Sequence, residues 1–297
     1  MNIHALRIFI AVVHHKSVTA AAESLHLSQP AVTIQVRKLE QELQTKLFAQ
    51  IGRHLQLTKE GTFLYEEARR LFRLEQSIEE KFEEFKAQRH TIRIAAAYIS
   101  TNYILPKVIA KFKTLYNSNF SLTLSNVETV QKQVLQYEAD FGLVVQNEFK
   151  HRELHYEKLF NIPFLFITHN HHPLANKEVA LAELQNYEFI YREQGSSTYD
   201  LLAATFYSQN VPLPQCGVQL QGVEESIKFV EAGYGITLAP MIAVKDKLHS
   251  DQLSQIHVKG VAPQQSLYLI YRKDETKHEF LCFLKKFYKG IIEEIPN

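Results

Sequence analysis

The chain has 297 residues with a net charge of +1, and 45% of them are hydrophobic, so it can build two or three soluble domains. No apolar run reaches the roughly 18 residues of a membrane span, and the start of the chain lacks the pattern of a secretory signal. Its two cysteines have no metal-ligand spacing, which argues against a disulfide scaffold or a zinc site. We therefore expect a cytoplasmic protein without membrane attachment.

Positive charge is concentrated near the N-terminus, where residues 1–58 carry six Lys or Arg and three Asp or Glu. Apolar residues at three- and four-residue spacing predict a helix over 3–15. Ser17 is a candidate N-cap for a second, alanine-rich helix over 18–25, and Ser28 is a candidate N-cap for a third helix. This order predicts a helix-turn-helix in a basic segment, as contact with nucleic-acid phosphates requires.

The third predicted helix has two different faces. Four apolar side chains at helical spacing form its core face: Val32, Val36, Leu39 and Leu43. The opposite face carries Pro30, Thr33, Ile34 and Arg37. A face of this kind near a helix N-terminus can read base edges in a major groove. The alternative is an ordinary solvated face with one exposed isoleucine.

Short apolar stretches on either side of Gly52-Arg53 predict a small two-stranded wing. Together with the three helices, this segment resembles the winged helix of the LysR family of bacterial transcriptional regulators. The matching segments are Ser17–Ala22, Ser28–Thr33, Leu39–Leu43, Leu47-Phe48, Arg53, Leu57-Thr58 and Gly61. The resemblance implies binding to double-stranded DNA. The candidate DNA-binding residues are Ser28, Gln29, Pro30, Thr33, Ile34, Arg37 and Arg53.

Three positions depart from the family pattern. Ile34 stands where a polar or basic residue is common, Gln44 where glycine is usual, and Gln50 where arginine is usual. One hypothesis is that Ile34 contacts a thymine methyl group instead of making a polar contact. The missing charge at position 50 is expected to weaken the salt-dependent part of DNA binding.

A long helix is predicted over 59–90, with Thr58 as its N-cap. Its apolar residues follow a seven-residue repeat: Leu64, Leu71, Ile78 and Phe85, with Ala68, Leu74 and Phe82 alongside. A lone helix of roughly 45 Å cannot bury this stripe, so we expect pairing with a second copy. The alternative is packing against the chain's own C-terminal domain. The resemblance implies a homodimer or homotetramer, which suits a palindromic operator.

From residue 91 onward, strand-like and helix-like segments alternate. Strands are predicted at 92–97, 120–124, 141–145, 164–168, 189–191, 218–220, 236–239 and 267–271. Helices are predicted at about 103–116, 129–137, 198–209, 222–232 and 276–292. This alternation is typical of an α/β fold with largely parallel sheets.

The order of these segments resembles the LysR effector domain, a two-lobed α/β domain similar to periplasmic binding proteins. Its landmarks here are Ile104-Leu105-Pro106, Asp140–Val144, His172–Ala175 and Val230–Ile236. The predicted domains are a winged helix-turn-helix at 1–58, a linker helix at 59–90 and an effector domain at 91–297. Lobe I takes about 91–161 and 267–297, and lobe II about 162–266, with the effector between them.

Candidate effector-binding residues lie where predicted strands give way to helices. They are Ser100, Thr101, Asn102 and, more weakly, Thr129 in lobe I, and Gly195, Ser196, Ser197 and Thr198 in lobe II. Hydroxyls and free N–H groups at helix starts favour anions, although ordinary N-capping uses the same residue types. We therefore expect a small effector, either a carboxylate or an inorganic oxyanion.

The segment Arg192–Thr198 also resembles the family branch that regulates sulfur assimilation and carbon fixation. It departs from that pattern at Ser197 and Tyr199, and three tyrosines could equally flank an aromatic acid: Tyr98, Tyr103 and Tyr199. The effector class therefore stays open between an inorganic oxyanion and an organic acid.

No catalytic constellation is found, because the chain has neither a phosphate-binding loop nor a nucleophile elbow. We expect no metal, no cofactor and no enzymatic activity. The favoured function is a transcriptional regulator controlled by a small-molecule effector, with RNA polymerase as a further candidate partner. The alternatives are a solute-binding protein without a transcriptional role and a small-molecule enzyme with a DNA-binding head.

Overall fold

The computed structural model describes residues 1–51, 54–86, 91–116, 118–146, 151–273 and 279–292, without the side chains of 50, 51, 54 and 288–292. By its contacts the chain divides into two units. The first is Met1–Ala87 with Gln136–Glu138, and the second is Gln88–Leu135 with Ala139–Asn297. Among the described residues, every helix is either too short or too polar to span a lipid bilayer.

Three capped helices begin the N-terminal unit. They are α1 (Ile3–His15), α2 (Val18–Ser24) and α3 (Gln29–Glu42). The side-chain oxygens of Asn2, Ser17 and Ser28 accept backbone N–H groups from the first turns of α1, α2 and α3. Pro30 lies in the first turn of α3. The predicted helix-turn-helix is confirmed.

Two buried clusters hold these helices together. The first is formed by Ala5, Leu6, Phe9, Leu39, Leu47 and Ala68. The second is formed by Ile8, Val12, Ala21, Ala22 and Val32, with Val36 packed against it. The small side chains of Ala21 and Ala22 thus allow α2 to pack closely against its neighbours. Leu43 was predicted in the core stripe, but it is 37% exposed, since α3 ends one residue before it.

A two-stranded wing and a long helix complete this unit. Strands β1 (Phe48–Ile51) and β2 (His54–Leu57) pair antiparallel, and α4 (Lys59–Lys86) follows. The Thr58 Oγ1 accepts the Gly61 N–H at 2.9 Å, which confirms the predicted cap. The predicted wing residue Arg53 lies outside the described residues.

The two halves of α4 have different surroundings. Near its start, Ala68 is buried, and Leu64 and Phe72 pack against the helix-turn-helix core. From Leu71 onward the apolar stripe is uncovered in the single chain: Leu71, Ile78, Phe82 and Phe85 are 39–79% exposed. The linker helix therefore presents an apolar face that its own unit does not bury.

The second unit contains ten strands and six α-helices in the described residues. The strands are β3 (Thr91–Ala96), β4 (Asn119–Leu124), β5 (Phe141–Gln146), β6 (Leu154–His169), β7 (Glu178–Val179), β8 (Phe189–Arg192), β9 (Cys216–Leu220), β10 (Thr237–Pro240), β11 (Leu253–Val258) and β12 (Gln264–Arg272). The helices are α5 (Leu105–Lys113), α6 (Val127–Leu135), α7 (Ser197–Ser208), α8 (Val223–Glu231), α9 (Met241–His249) and α10 (Glu279–Ile292). A π-helical turn, Ser100–Ile104, precedes α5.

One eight-stranded sheet runs through both lobes of the second unit. Its strand order is β4-β3-β5-β12-β6-β11-β7, with β10 also paired to β6. Strands β8 and β9 form a separate parallel pair. The first part of β6 pairs with β12, and its last part pairs with β10 and β11. The expectation of largely parallel sheets is wrong at β6 and β12, because these strands cross between the lobes and run antiparallel to their neighbours.

Several elements were not predicted from the sequence: α9, β7, β11 and the first half of β6. In α9 only Val244 is buried, so the helix has little apolar periodicity to detect. The first half of β6 mixes charged, polar and apolar residues, so its sequence has no alternating pattern that predicts a strand. This segment is a strand because it pairs with β12.

A turn in lobe II depends on neutral His172. Its Nδ1 accepts the Leu174 N–H at 3.1 Å, and its ring packs on Tyr187 with centroids 4.7 Å apart. Burial lowers the pKa of His172, because desolvation disfavours the imidazolium. Protonation at Nδ1 would also remove the acceptor for Leu174.

Acidification is therefore expected to destabilise the effector domain through His172. The unfolded chain takes up the proton near pH 6.5, before the folded chain does, so this contribution is complete above about pH 6.5 and declines as the pH falls. In His172→Asn, the amide oxygen can accept the same N–H without titrating. Thermal unfolding between pH 7.5 and 5.5 should show a larger loss for the wild type, by a few degrees. Equal losses would contradict the assignment.

Candidate functional site

The predicted DNA-binding residues of α3 lie at its start and on its outer face. Ser28, Gln29, Pro30 and Arg37 are exposed, Ile34 is 54% exposed, and Thr33 is partly buried. The Thr33 Oγ1 donates to the Gln29 carbonyl oxygen at 3.0 Å, so its remaining capacity is as an acceptor. The helix thus turns Val32 and Leu39 inward and offers the other face to solvent.

Glu40 connects the C-terminal end of α3 to the segment that begins the wing. Its side chain is 9% exposed, and it accepts the Leu47 N–H at 2.9 Å and the Lys46 ammonium at 2.7 Å. Burial raises the pKa of Glu40, but the hydrogen bonds from Lys46 and from backbone N–H groups outweigh it and hold the pKa below its ordinary value. The role of Glu40 is not visible in the sequence, because its partners Lys46 and Leu47 lie beyond the end of the helix.

The end of α3 explains the departure at Gln44. This residue is in the left-handed conformation, with φ +53°. The Gln44 N–H bonds the Gln41 carbonyl at 3.2 Å, and the Thr45 N–H bonds the Glu40 carbonyl at 3.1 Å. These two bonds form a Schellman motif, in which glycine is the favoured residue at this position.

Gln44→Gly is therefore expected to stabilise the N-terminal unit by about 0.5–1 kcal/mol, because it removes the steric cost of a Cβ in a left-handed turn. The matched control, Gln41→Gly, should destabilise the same unit by about 1 kcal/mol, because Gln41 lies within the helix. Amide hydrogen exchange of α3 measures both changes in the full chain. Faster exchange in both variants would contradict the expectation.

A cavity of about 300 Å³ lies between the lobes of the effector domain. Lobe I lines it with Ala97, Tyr98, Ile99, Leu124, Ser125, Asn126, Val127 and Val145. Lobe II lines it with Arg192, Glu193, Gly195, Ser196, Ser197, Thr198 and Gln221. These residues follow or end parallel strands, which is where open α/β sheets hold their ligands.

Lobe II supplies the predicted effector residues of this cavity, Gly195 to Thr198. The lobe I candidates are elsewhere: Ser100, Thr101, Asn102 and Thr129 do not line it. The side chains of Thr101 and Asn102 donate to the backbone carbonyls of Ala97 and Tyr98. The cavity wall is instead formed by the three preceding residues, 97–99, and the π-helical turn begins at Ser100.

Two helix N-termini meet at the cavity. The Asn126 Oδ1 caps α6 by accepting the Thr129 N–H at 2.8 Å, and the Ser196 Oγ caps α7 by accepting the Tyr199 N–H at 3.3 Å. Gly195 has φ +82°, the left-handed turn that directs the chain into α7. First-turn N–H groups without intrahelical partners and the helix dipoles both favour an anion here.

Arg192 and Glu193 bring formal charge into the cavity wall. The Arg192 Nε and Nη2 donate to the two carboxylate oxygens of Glu193, each at 2.9 Å, and Nη2 also donates to the Gln221 carbonyl at 2.7 Å. The Arg192 side chain is 8% exposed and that of Glu193 is 37% exposed. Neither was a predicted site residue, although both belong to the segment that resembles one family branch.

A contact near the cavity joins the lobes, because the Tyr103 phenol of lobe I donates to the Glu224 carboxylate at the start of α8. Burial, followed by the Glu224 carboxylate, raises the pKa of Tyr103 well above its usual value, so the phenol stays a donor. A change in the angle between the lobes must alter this contact. Within lobe II, the Gln265 Nε2 donates to the Ser197 carbonyl at 2.8 Å and ties β12 to the start of α7.

Solved structures share this fold. CbnR in complex with its target DNA is 21% identical, with a TM-score of 0.67 over 98% of this chain and 99% of that chain. The CcmR regulatory domain of Synechocystis PCC6803, in complex with 2-PG, is 21% identical, with a TM-score of 0.61 over 68% of this chain and 99% of that chain.

Family models and curated relatives agree with the fold. The model of the LysR substrate binding domain matches residues 86–285, and that of the bacterial regulatory helix-turn-helix protein, lysR family, matches residues 3–62. The transcriptional regulator CysL of Bacillus subtilis is 31% identical over 98% of this chain and 99% of its own length. The RuBisCO operon transcriptional regulator of Allochromatium vinosum is 30% identical over 92% and 90%. The chain therefore belongs to the LysR family of effector-controlled, DNA-binding transcriptional regulators, which are not enzymes.

Proposed function

We propose that the regulator is controlled by a small oxyanion bound in the interlobe cavity. The observation that carries this proposal is the convergence of two helix N-termini, α6 from lobe I and α7 from lobe II, on one cavity beside Arg192. A ligand that contacts both starts bridges the lobes. The complex of CcmR with 2-PG supports this class of ligand, since that domain shares the fold.

The proposed DNA-reading surface is the exposed face of α3, with Ser28, Gln29, Pro30, Thr33, Ile34 and Arg37, and the proposal extends to Arg53, which lies outside the described residues. The exposure of this face of α3 and the buried opposite face support the role. The proposed division of the chain is 1–58, 59–90 and 91–297, with the two lobes as predicted. A role in the cytoplasm follows from its DNA target.

We infer that the chain acts as a homodimer or homotetramer. The stripe from Leu71 to Phe85 on α4 is too apolar and too exposed to remain in solvent, and pairing two such helices buries it. Two recognition helices then address a palindromic operator. The effector would favour one lobe angle, change the geometry of the oligomer and thereby change the spacing of the recognition helices.

Ser197→Asp tests the effector site. An acid at the first position of α7 is compatible with the helix start, but it places negative charge against the anion. Sulfate, phosphate and 2-PG are titrated calorimetrically into the full chain at constant ionic strength. The Kd of each anion that binds the wild type should rise at least about tenfold in Ser197→Asp. Ser197→Asn, which has the same size without charge, should stay close to the wild type.

The same variants test the coupling to DNA. Footprinting on the upstream region of the gene should show a wild-type pattern that changes when the anion is added. Ser197→Asp should bind this DNA without responding to the anion. Equal anion affinities of the Asp and Asn variants would contradict the cavity as the effector site, and a wild-type chain that protects no upstream DNA would contradict regulation at this promoter.

A further inference from the structure

We propose that Glu193 is an internal competitor of the effector: its carboxylate pairs with the Arg192 guanidinium, and an oxyanion effector binds by exchanging with that carboxylate. This inference deepens the proposed function and rests on its interlobe cavity. It assigns to Arg192 the recognition of the anion and to Glu193 the control of access to it.

Arg192 is built to hold an anion. With 8% of its side chain exposed, its charge requires a partner, which Glu193 provides through two hydrogen bonds of 2.9 Å. The Gln221 carbonyl fixes Nη2 at 2.7 Å and thereby orients the planar fork. The Nη1 group makes no hydrogen bond to any described residue, so donors remain for a ligand.

Glu193 can leave without disturbing the fold. Its carbonyl oxygen accepts from the Ser196 N–H at 3.1 Å and from the Ser196 hydroxyl at 2.8 Å, which hold the backbone at the start of α7. Within the described residues, its carboxylate bonds Arg192 alone, and 37% of the side chain is exposed. Rotation of the side chain toward solvent therefore breaks one ion pair and no backbone contact.

The exchange determines which anions can act. An effector must replace two carboxylate oxygens on a planar fork, so carboxylate, sulfate and phosphate groups fit, whereas a halide cannot make the paired contact. The starts of α6 and α7 then provide further N–H donors. Two other acidic side chains lie at the start of α8, but neither lines the cavity. One of them, Glu224, accepts a hydrogen bond from the Tyr103 phenol instead.

Calorimetric titration of the full chain with sulfate, phosphate and 2-PG tests the exchange. Glu193→Gln should lower the Kd by about tenfold, because it removes the competing charge. Glu193→Asp keeps the charge but is one methylene too short for the paired bonds, so it should also lower the Kd. Glu178→Gln removes an exposed acid of the same lobe, outside the cavity, and should leave the Kd unchanged.

The outcomes separate this inference from the proposed function. If the wild type binds an anion and Ser197→Asp weakens it, but Glu193→Gln or Glu193→Asp binds no more tightly, the exchange is overturned and the cavity stands. If only Glu193→Gln lowers the Kd and Glu193→Asp does not, the Glu193 charge merely repels the anion, and the exchange is also overturned. Binding by both Glu193 variants but not by the wild type supports it. If no chain binds any of the three anions, both proposals fail.

Discussion

A Gly61→Ala chain is expected to lose specific DNA binding, with an affinity at least about tenfold lower than that of the wild type. A Cβ at Gly61 would lie 2.0 Å from the Leu47 carbonyl oxygen and 3.0 Å from the Leu57 side chain. The same carbonyl accepts the Thr58 N–H at 3.0 Å, so the backbone that must move is the joint between the wing and α4. Overpacking that forces side chains and backbone to shift typically costs about 1–3 kcal/mol.

Gel-shift titration with the upstream DNA measures this loss, and Glu60→Ala is the matched control, since the neighbouring Glu60 is exposed. Anion binding by the effector domain should be the same in both variants. Wild-type DNA affinity in Gly61→Ala would show that the wing joint tolerates a methyl group and would contradict the structural role given to Gly61.

Phe206→Ala is expected to destabilise the effector domain by about 3–5 kcal/mol, the usual cost of emptying an aromatic core position. Phe206 is fully buried on α7, with its ring centroid 6.3 Å from Phe166 and 6.1 Å from Phe189. Because α7 also presents Ser197 and Thr198 to the cavity, the same substitution should weaken anion binding.

Urea unfolding of the full chain, followed through the tyrosine signal, measures the stability change. The adjacent Tyr207 is 62% exposed, so Tyr207→Ala should cost less than about 1 kcal/mol. Similar midpoints for the two variants would mean that Phe206 does not belong to the core that holds α7.

Much of the N-terminal unit could be predicted because its determinants are local. The caps Ser17, Ser28 and Thr58 each act on a backbone N–H three residues away, and the apolar spacing of α1 is complete within its own turns. The strand–helix alternation of the effector domain is equally local. In contrast, β11 and the first half of β6 form strands because of the strands that pair with them, so their own sequences do not predict them. Helix α9 buries little apolar surface and therefore has no helical pattern of apolar residues.

The sequence by itself determined the helix-turn-helix, the strand–helix alternation of the effector domain, the apolar stripe of α4 and the candidate anion site at Ser196 to Thr198, since each follows from neighbours a few residues apart. Only the tertiary structure decided which residues meet across the cavity. The cavity lining includes residues 97–99, Asn126, Arg192 and Glu193, whereas the predicted Ser100 to Asn102 lie just outside it. The physical reason is that the cavity wall is assembled from strand ends spread between residues 97 and 221 of the chain, and the directions in which they face are set by the sheets that hold these strands.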